Sequence, residues 1–251
     1  MATTSESYYR ITDEITDPSG EQTCHTEELL RLANGFCCYE PLRNVPVISD
    51  ISPGNDTGVI TFGSTHTPSR LNKQVIKLWS ELLNMIPESR LLIFRNTLCK
   101  SIIDRLTKWF VEFGVDPIRI EFKNAVPDGG HLEIYRSIDI TLDTFPWSGH
   151  VTACESLQMG VPVITLRGSR HAGRMVSSIL YRAGLPELIA ESMQDYLRIA
   201  KKMADNPEII STYKATLKYQ FLSSPVCDCK GFVKSLENAY FTIWYKYLKT
   251  E

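Results

Sequence analysis

The segment that ends at Glu155 carries polar side chains at the spacing of a phosphate-binding turn. An apolar run, 138–142, leads into a turn with Pro and Gly, and a helix is predicted to open after Gly149 with His150 and Thr152. A helix start offers free backbone N–H groups and a partial positive charge, which favour a phosphate. Gly149 would let a ligand approach the backbone closely. Thr152 adds a hydroxyl, and Glu155 could accept hydrogen bonds from ribose hydroxyls.

The same two polar side chains also have a structural interpretation. Thr152 and Glu155 are spaced three apart, so they could satisfy the helix start as a capping box instead of binding a ligand. The sequence leaves both interpretations open at this point.

Two further candidates lie in loops that follow predicted strands. Arg70 ends the loop 63–70, which joins a strand to a helix, and its guanidinium could bind a diphosphate or lie solvated in the first helical turn. His131 opens a short helix after the third strand and is either a ligand-site residue or a surface histidine.

The elements that must position these residues alternate between short apolar runs and amphipathic segments from about residue 58. This pattern predicts βαβ units, and strands apolar on both faces predict a parallel sheet covered on both sides by helices. The predicted fold class is therefore α/β, a doubly wound Rossmann-like domain. The predicted strands are 59–62, 91–94, 118–122, 138–142 and 162–166; the predicted helices between them are 71–86, 101–113, 131–137 and 149–159, and another follows over 172–183.

After about residue 183 the pattern becomes helical, with helices predicted over 195–204, 208–222 and 232–248. The last of them carries a wide aromatic stripe that must cover an apolar surface, in this domain or in a partner. The predicted organisation is a connector over 1–45, a linker over 46–57, the nucleotide-binding domain over 58–206 and C-terminal helices over 207–251. A crevice at the carboxyl ends of parallel strands is the expected ligand site.

Composition excludes several classes of protein. The formal net charge of −2 gives no field that would recruit nucleic acid or a membrane surface. The apolar runs are too short to cross a bilayer, and the polar start of the chain is not a secretory signal. We therefore expect a cytoplasmic or nuclear protein.

The seven cysteines favour free thiols over a disulfide framework, because their number is odd and the chain is not a small cysteine-rich domain. Cys37 and Cys38, together with Cys227 and Cys229, are the only grouping that suggests zinc. Neither pair has the Cys-x-x-Cys spacing, so no metal site is predicted.

Many ordered stretches together resemble the carboxyl-terminal lobe of the O-linked N-acetylglucosamine transferase family, including the SPINDLY-type protein O-fucosyltransferases. Among them are DITLDTFP at 139–146 and CESLQMGVPVIT at 154–165. The other matching stretches are 60–64, 76–79, 86–92, 170–174, 184–190 and 224–227, and in the connector 9–13 and 36–41.

The resemblance implies the second lobe of a GT-B glycosyltransferase, which holds the donor UDP-GlcNAc or GDP-fucose and transfers its sugar to Ser or Thr of acceptor proteins. It implies that His131 packs near the donor base and that Glu155 binds the ribose. Gly149, His150 and Thr152 match the turn and helix start that hold the diphosphate. Arg70 falls where the family has a catalytic lysine that neutralises the leaving group. No metal or other cofactor is expected.

The chain departs from the family pattern at several positions. Arg70 replaces a lysine, and a planar guanidinium does not substitute simply for an ammonium at a tight phosphate site. The loop 65–69 lacks the family's amide side chains, Val151 stands where a threonine is usual, and Asp128 stands where the N-acetylglucosamine enzymes have a lysine. The first catalytic lobe and the tetratricopeptide repeats are expected to lie outside this chain.

Two functional hypotheses follow, beside a third in which the chain is a degenerate product that folds poorly. One is a protein O-glycosyltransferase donor lobe that works with a separate first lobe or another copy of the chain. The other is a catalytically silent module that binds a nucleotide sugar or acts as a scaffold. Agreement between strand patterns, breakers and helix faces argues against a degenerate product.

Overall fold

The computed structural model describes residues 9–20, 25–43, 45–46, 53–54 and 58–249. Most of the predicted linker, 46–57, lies outside the described residues, as does Cys24. In these ranges six parallel strands form one sheet in the order β5-β4-β3-β6-β7-β8. The strands are β3 (Ile60–Ser64), β4 (Ser89–Phe94), β5 (Ile120–Lys123), β6 (Ile140–Leu142), β7 (Val163–Leu166) and β8 (Ile189–Ala190). The predicted doubly wound parallel sheet is confirmed.

Seven α-helices surround or follow the sheet in the part of the chain that the structure describes. They are α1 (Lys73–Met85), α2 (Lys100–Glu112), α3 (Val151–Gln158), α4 (His171–Arg182), α5 (Met193–Ala204), α6 (Pro207–Leu222) and α7 (Cys229–Leu248). The side chain of Asn72 starts α1 by accepting hydrogen bonds from the N–H groups of Gln74 and Val75, both at 3.0 Å. Such local signals explain why the helix bounds agree with the sequence pattern within about three residues.

Two hydrophobic clusters hold the sheet and the helices together among the described residues, and most of the buried side chains belong to the larger one. Trp79 of α1 and Phe62 of β3 are wholly buried in it, and so is Phe221 of α6. Helix α6 therefore packs into the same core, although it begins after residue 206, where the sequence analysis placed the end of the nucleotide-binding domain. Helix α7 differs, because none of its side chains that the structure describes is buried.

The connector forms a small unit of its own, a parallel pair of strands, β1 (Tyr9–Thr12) and β2 (Glu28–Arg31). A buried carboxylate, that of Asp13, docks the unit onto α4. Its Oδ2 accepts hydrogen bonds from the N–H of Phe36 at 2.9 Å and the hydroxyl of Ser178 at 2.6 Å, and Arg182 Nη1 lies 3.4 Å away. Burial alone would raise the pKa of Asp13, but the hydrogen bonds and the Arg182 charge outweigh it and hold the pKa below its usual value.

A second carboxylate, that of Asp17, reinforces this docking. Its Oδ2 lies 2.7 Å from Nδ1 of His171, the first residue of α4, and accepts a short hydrogen bond from the Thr12 hydroxyl. The connector is therefore tied to the start and the end of one helix of the main domain.

Candidate functional site

The strand order reverses between β3 and β6, so the loops that follow these strands diverge and leave a crevice. A cavity of about 350 Å³ opens there. It is lined by Thr65, Phe94, Arg95, Asn96, Val126, His131, Tyr135, Val151, Thr152 and Glu155. Three of the predicted site residues, His131, Thr152 and Glu155, thus meet in one cavity.

The turn beside this cavity is organised by Asp143, which follows β6 and is buried. Its Oδ1 accepts the N–H of Gly149 at 2.7 Å and lies 3.0 Å from Nε2 of His66. Its Oδ2 accepts the hydroxyl of Thr165 at 2.6 Å. Ser64 Oγ lies 3.0 Å from Nδ1 of His66, so one buried hydrogen-bond network joins the ends of β3, β6 and β7.

Gly149 is required by this network rather than by direct approach of a ligand. A Cβ at this position would lie 2.6 Å from Thr152 Oγ1 and 2.7 Å from His66 Nε2, closer than real Cβ contacts allow. Its N–H is already donated to Asp143. The free amides of the turn therefore belong to the residues that follow Gly149.

The start of α3 presents unpaired donors. Within the described residues, the N–H groups of His150, Val151 and Thr152 have no hydrogen-bond partner, and no side chain caps the helix. Thr152 Oγ1 is buried and likewise has no partner there. The capping-box interpretation of Thr152 and Glu155 is therefore not what the structure shows, and the donors stay available to an anion.

Glu155 pairs with His131 across the cavity. Nε2 of His131 lies 2.9 Å from Oε1 of Glu155. The side chain of His131 is 49% exposed, and that of Glu155 is 11% exposed. The hydroxyl of Tyr135 lies 2.9 Å from Thr65 Oγ1 and donates to the carbonyl of Thr152 at 3.1 Å. Burial raises the pKa of Tyr135 well above its usual value, so this hydroxyl stays neutral. One wall of the cavity is thus a fixed polar network.

Arg70 lies on the turn, next to the cavity rather than in its lining. Its Nη1 donates to the carbonyl of Ser148 at 2.7 Å, and its guanidinium lies 4.9 Å from the ring centre of Trp147. Burial lowers the pKa of Arg70; the charge of Asp143 opposes this shift and that of Arg95 adds to it. A guanidinium stays charged at neutral pH despite such a shift. The loop after β3 therefore holds the charged guanidinium of Arg70 against the turn that precedes α3.

A second guanidinium, that of Arg95, was not among the predicted residues. It directly follows β4, and its Nη1 donates to the carbonyl of Thr65 at 3.2 Å. Its Nε is buried and has no hydrogen-bond partner among the described residues, although the side chain lines the cavity. A charged residue at the carboxyl end of a buried strand is the signal that could have identified it.

His150 connects the turn to the connector. Its ring centre lies 5.3 Å from that of Phe36, which also lies 5.4 Å from the ring of His171. Burial lowers the pKa of His150, and the charges of Arg70 and His171 lower it further. The imidazole is therefore favoured in its neutral form at neutral pH.

Among the described residues, no helix combines the length and the hydropathy that crossing a bilayer would require.

Comparison with known proteins gives matches along most of the chain. The family model for glycosyl transferase family 41 matches residues 54–236. A curated relative, the probable UDP-N-acetylglucosamine–peptide N-acetylglucosaminyltransferase SPINDLY of Oryza sativa subsp. japonica, is 35% identical over 95% of this chain and 26% of its own length. The peptide N-acetylglucosaminyltransferase of Caenorhabditis elegans is 28% identical over 75% of this chain and 16% of its own.

Among solved structures, a mutant of the Thermobaculum terrenum O-GlcNAc transferase matches with a TM-score of 0.89 and 30% identity. The match covers 97% of this chain and 46% of that one. The chain thus spans about a quarter of the length of the rice relative and less than half of the bacterial structure.

Proposed function

The chain belongs to glycosyl transferase family 41, and from that premise we propose that it is the donor-binding lobe of a protein O-glycosyltransferase. Its parallel-sheet fold is that of the GT-B glycosyltransferases, as the resemblance predicted. In this proposal the lobe binds a nucleoside diphosphate sugar, and the sugar passes to a Ser or Thr hydroxyl of an acceptor protein.

The observation that carries the proposal is the set of unsatisfied donors around one cavity. Three backbone amides at the start of α3, the hydroxyl of Thr152 and Nε of Arg95 lack partners within the described residues. Buried donors without acceptors are unfavourable, so they favour a ligand rich in acceptor oxygens. A diphosphate supplies such oxygens and the negative charge that a helix start attracts.

The opposite side of the cavity suits the nucleoside. We assign the carboxylate of Glu155 to the ribose hydroxyls, because it accepts hydrogen bonds and is held in place by His131 at 2.9 Å. We place the base beside His131, whose ring is half exposed and could pack against a planar group. Neither assignment distinguishes uracil from guanine, and O-GlcNAc and O-fucose transfer both fit.

In the proposed reaction, the bond between the anomeric carbon and the diphosphate breaks as the acceptor oxygen bonds to that carbon. Negative charge then develops on the departing diphosphate. Arg70 is placed to stabilise it, together with the amides that open α3, because both are fixed before the reaction begins. The proposal needs no metal, since these groups supply the positive charge.

A second candidate function is a nucleotide-sugar-binding module without transferase activity of its own. One observation favours considering it. Val151 places an apolar side chain, 54% exposed, at the helix start where it lines the cavity.

Calorimetry with UDP and with GDP tests donor binding on the purified chain. We expect heat with one of them and weaker heat with the matching nucleoside. No heat with either nucleotide at millimolar concentration would contradict the proposal for both candidate functions. A labelled-donor assay, with and without a separately supplied first lobe of a relative, then separates them. Transfer that depends on the added lobe supports the enzyme, and binding without transfer in either case supports the silent module.

Three further points remain predictions to be tested on the purified chain. They are the donor sugar, the acceptor proteins and a protein partner, which is either a first lobe or another copy of the chain. Residence in the cytoplasm or nucleus also stays a prediction.

A further inference from the structure

Two cysteines far apart in the chain lie side by side in the structure. The Sγ atoms of Cys38, in the connector, and Cys229, the first residue of α7, are 3.1 Å apart. Both thiols are free and only partly buried. A disulfide places its sulfurs about 2 Å apart, so a small movement would join this pair.

The other cysteines near this pair are poorer candidates. Cys154 is fully buried, so an oxidant has no access to its sulfur. Cys37 and Cys227 are partly buried like the pair, but neither makes a sulfur–sulfur hydrogen bond among the described residues. The geometry therefore singles out Cys38 and Cys229.

We propose that Cys38 and Cys229 form a reversible disulfide when the protein meets hydrogen peroxide. The thiolate of one cysteine attacks a peroxide oxygen, hydroxide leaves, and a sulfenic acid forms. The second sulfur then attacks the oxidised one, the S–S bond forms and water leaves. Overall, two thiols and one peroxide give one disulfide and two waters, with two electrons passing from sulfur to oxygen.

The bond would add a covalent link between two parts of the molecule that polar contacts already join, among them the ion pair of Lys246 Nζ with Glu28 Oε2 at 2.5 Å. Cys38 follows Phe36, which packs against His150 at the donor turn, and Cys229 opens the helix with the exposed aromatic stripe. Oxidation would hold the first turn of α7 against the connector. A cross-link between such distant positions restricts the unfolded chain strongly and should raise thermal stability.

A neighbouring carboxylate, that of Glu40, contacts the thiol of Cys229. Glu40 Oε2 lies 3.3 Å from Sγ of Cys229 and accepts its S–H. The hydrogen bond with Cys38, and then that with Glu40, raise the pKa of Cys229 to about 12. Cys229 is therefore held as the thiol at neutral pH, and removing the Glu40 charge should increase its thiolate fraction and accelerate the reaction.

The experiment is peptide mapping of the full chain after treatment with hydrogen peroxide. Free thiols are blocked with iodoacetamide, and the protein is cut with trypsin without reduction. Cys37 and Cys38 share the tryptic peptide 32–43, and Cys227 and Cys229 share 219–230, so variants must assign the bond. We expect the linked peptide in wild type and in the Cys37→Ser/Cys227→Ser double variant, and its loss in Cys38→Ser and in Cys229→Ser.

Two further measurements sharpen the test. We expect Tm to rise by several degrees after oxidation and to return with dithiothreitol, and we expect Glu40→Gln to form the bond several-fold faster. The exposed thiol of Cys99 reports peroxide exposure within each sample. Absence of the linked peptide at peroxide concentrations that oxidise Cys99 completely would overturn the proposal, as would its persistence in Cys229→Ser. Should Cys38→Ser fail to fold, Cys229→Ser alone decides.

Discussion

Nε2 of His66 and Oδ1 of Asp143 lie 3.0 Å apart, and both side chains are buried. The same oxygen accepts the Gly149 N–H at 2.7 Å. This pair joins the loop that carries Arg70 to the turn that opens α3, so the cation and the free amides are positioned by one carboxylate.

The first prediction concerns this carboxylate. Asp143→Asn keeps the size of the side chain but turns an acceptor oxygen into an NH₂ group, which must face at least one of the donors now bonded to Asp143. We expect the free energy of unfolding to fall by about 2–3 kcal/mol, because buried donors lose their acceptor. Urea unfolding measures the loss. Asp128→Asn, at an exposed carboxylate, is the matched control, and an equal effect of the two changes would contradict the role given to Asp143.

The second prediction concerns Arg70. We expect Arg70→Ala to weaken UDP or GDP binding by roughly 10- to 100-fold, since charge-assisted hydrogen bonds to phosphate are lost. Arg70→Lys should retain part of the affinity because it keeps the charge. Calorimetry measures both. Arg105→Ala removes an exposed guanidinium on α2 and should change nothing; unchanged affinity in Arg70→Ala would show that this side chain does not bind phosphate.

The third prediction concerns Arg95, whose buried Nε has no partner in the described part of the chain. We expect Arg95→Met to weaken diphosphate binding by about tenfold, the effect of one lost charge-assisted hydrogen bond, and to leave nucleoside binding unchanged. Titrations with UDP, GDP, uridine and guanosine measure the difference. Lys100→Met, at an exposed position at the start of α2, controls for the loss of one positive charge. Equal weakening for nucleotide and nucleoside would place Arg95 at the base instead.

The fourth prediction is a pH dependence caused by His150. Its pKa in the folded protein lies below its ordinary value, chiefly because of burial. As pH falls through that ordinary value of about 6.5, the unfolded chain takes up a proton that the folded chain does not, so stability decreases. Urea unfolding between pH 7.5 and 5.5 should show a smaller decrease for His150→Gln than for wild type. Parallel curves for the two proteins would contradict this origin.

The fifth prediction concerns the aromatic stripe of α7. Trp244 and Tyr247 stack with ring centres 5.8 Å apart and are 56% and 52% exposed. We expect Trp244→Gln with Tyr247→Gln to reduce self-association, because a contiguous exposed apolar surface favours association. Sedimentation velocity measures it. Tyr219→Gln on α6 removes another exposed ring and should leave the behaviour unchanged.

Sequence patterns identified the long helices and strands because burial of one face makes apolar residues recur at a regular spacing along them. Strands β3 to β7 lie close to their predicted bounds, and β5 begins two residues later than predicted because a short 3-10 turn, Pro117–Arg119, capped by Asp116, precedes it. Strand β8 was missed because it has only two residues, too few to show a regular spacing of apolar side chains. Strands β1 and β2 were missed because each has four residues and only partial burial.

The candidate site was only partly predictable for a different reason. Thr152 and Glu155 lie within the first five residues of α3, and His131 opens a short 3-10 helix, His131–Ser137, so local signals reveal them. His66 and Asp143 act through contacts 77 residues apart in the chain, and no local pattern distinguishes a buried loop histidine from a solvated one. The unpaired state of Arg95 Nε becomes visible only when its surroundings are known.

The docking of Asp13 has a practical consequence for anyone dividing this chain. The family match begins at residue 54, yet the acceptor for Ser178 and Arg182 is Asp13, which lies well before that residue. A fragment that starts at residue 54 would leave the side chains of Ser178 and Arg182 without the carboxylate of Asp13. A fragment that keeps these contacts must therefore include Asp13, because the connector supplies a buried partner of α4.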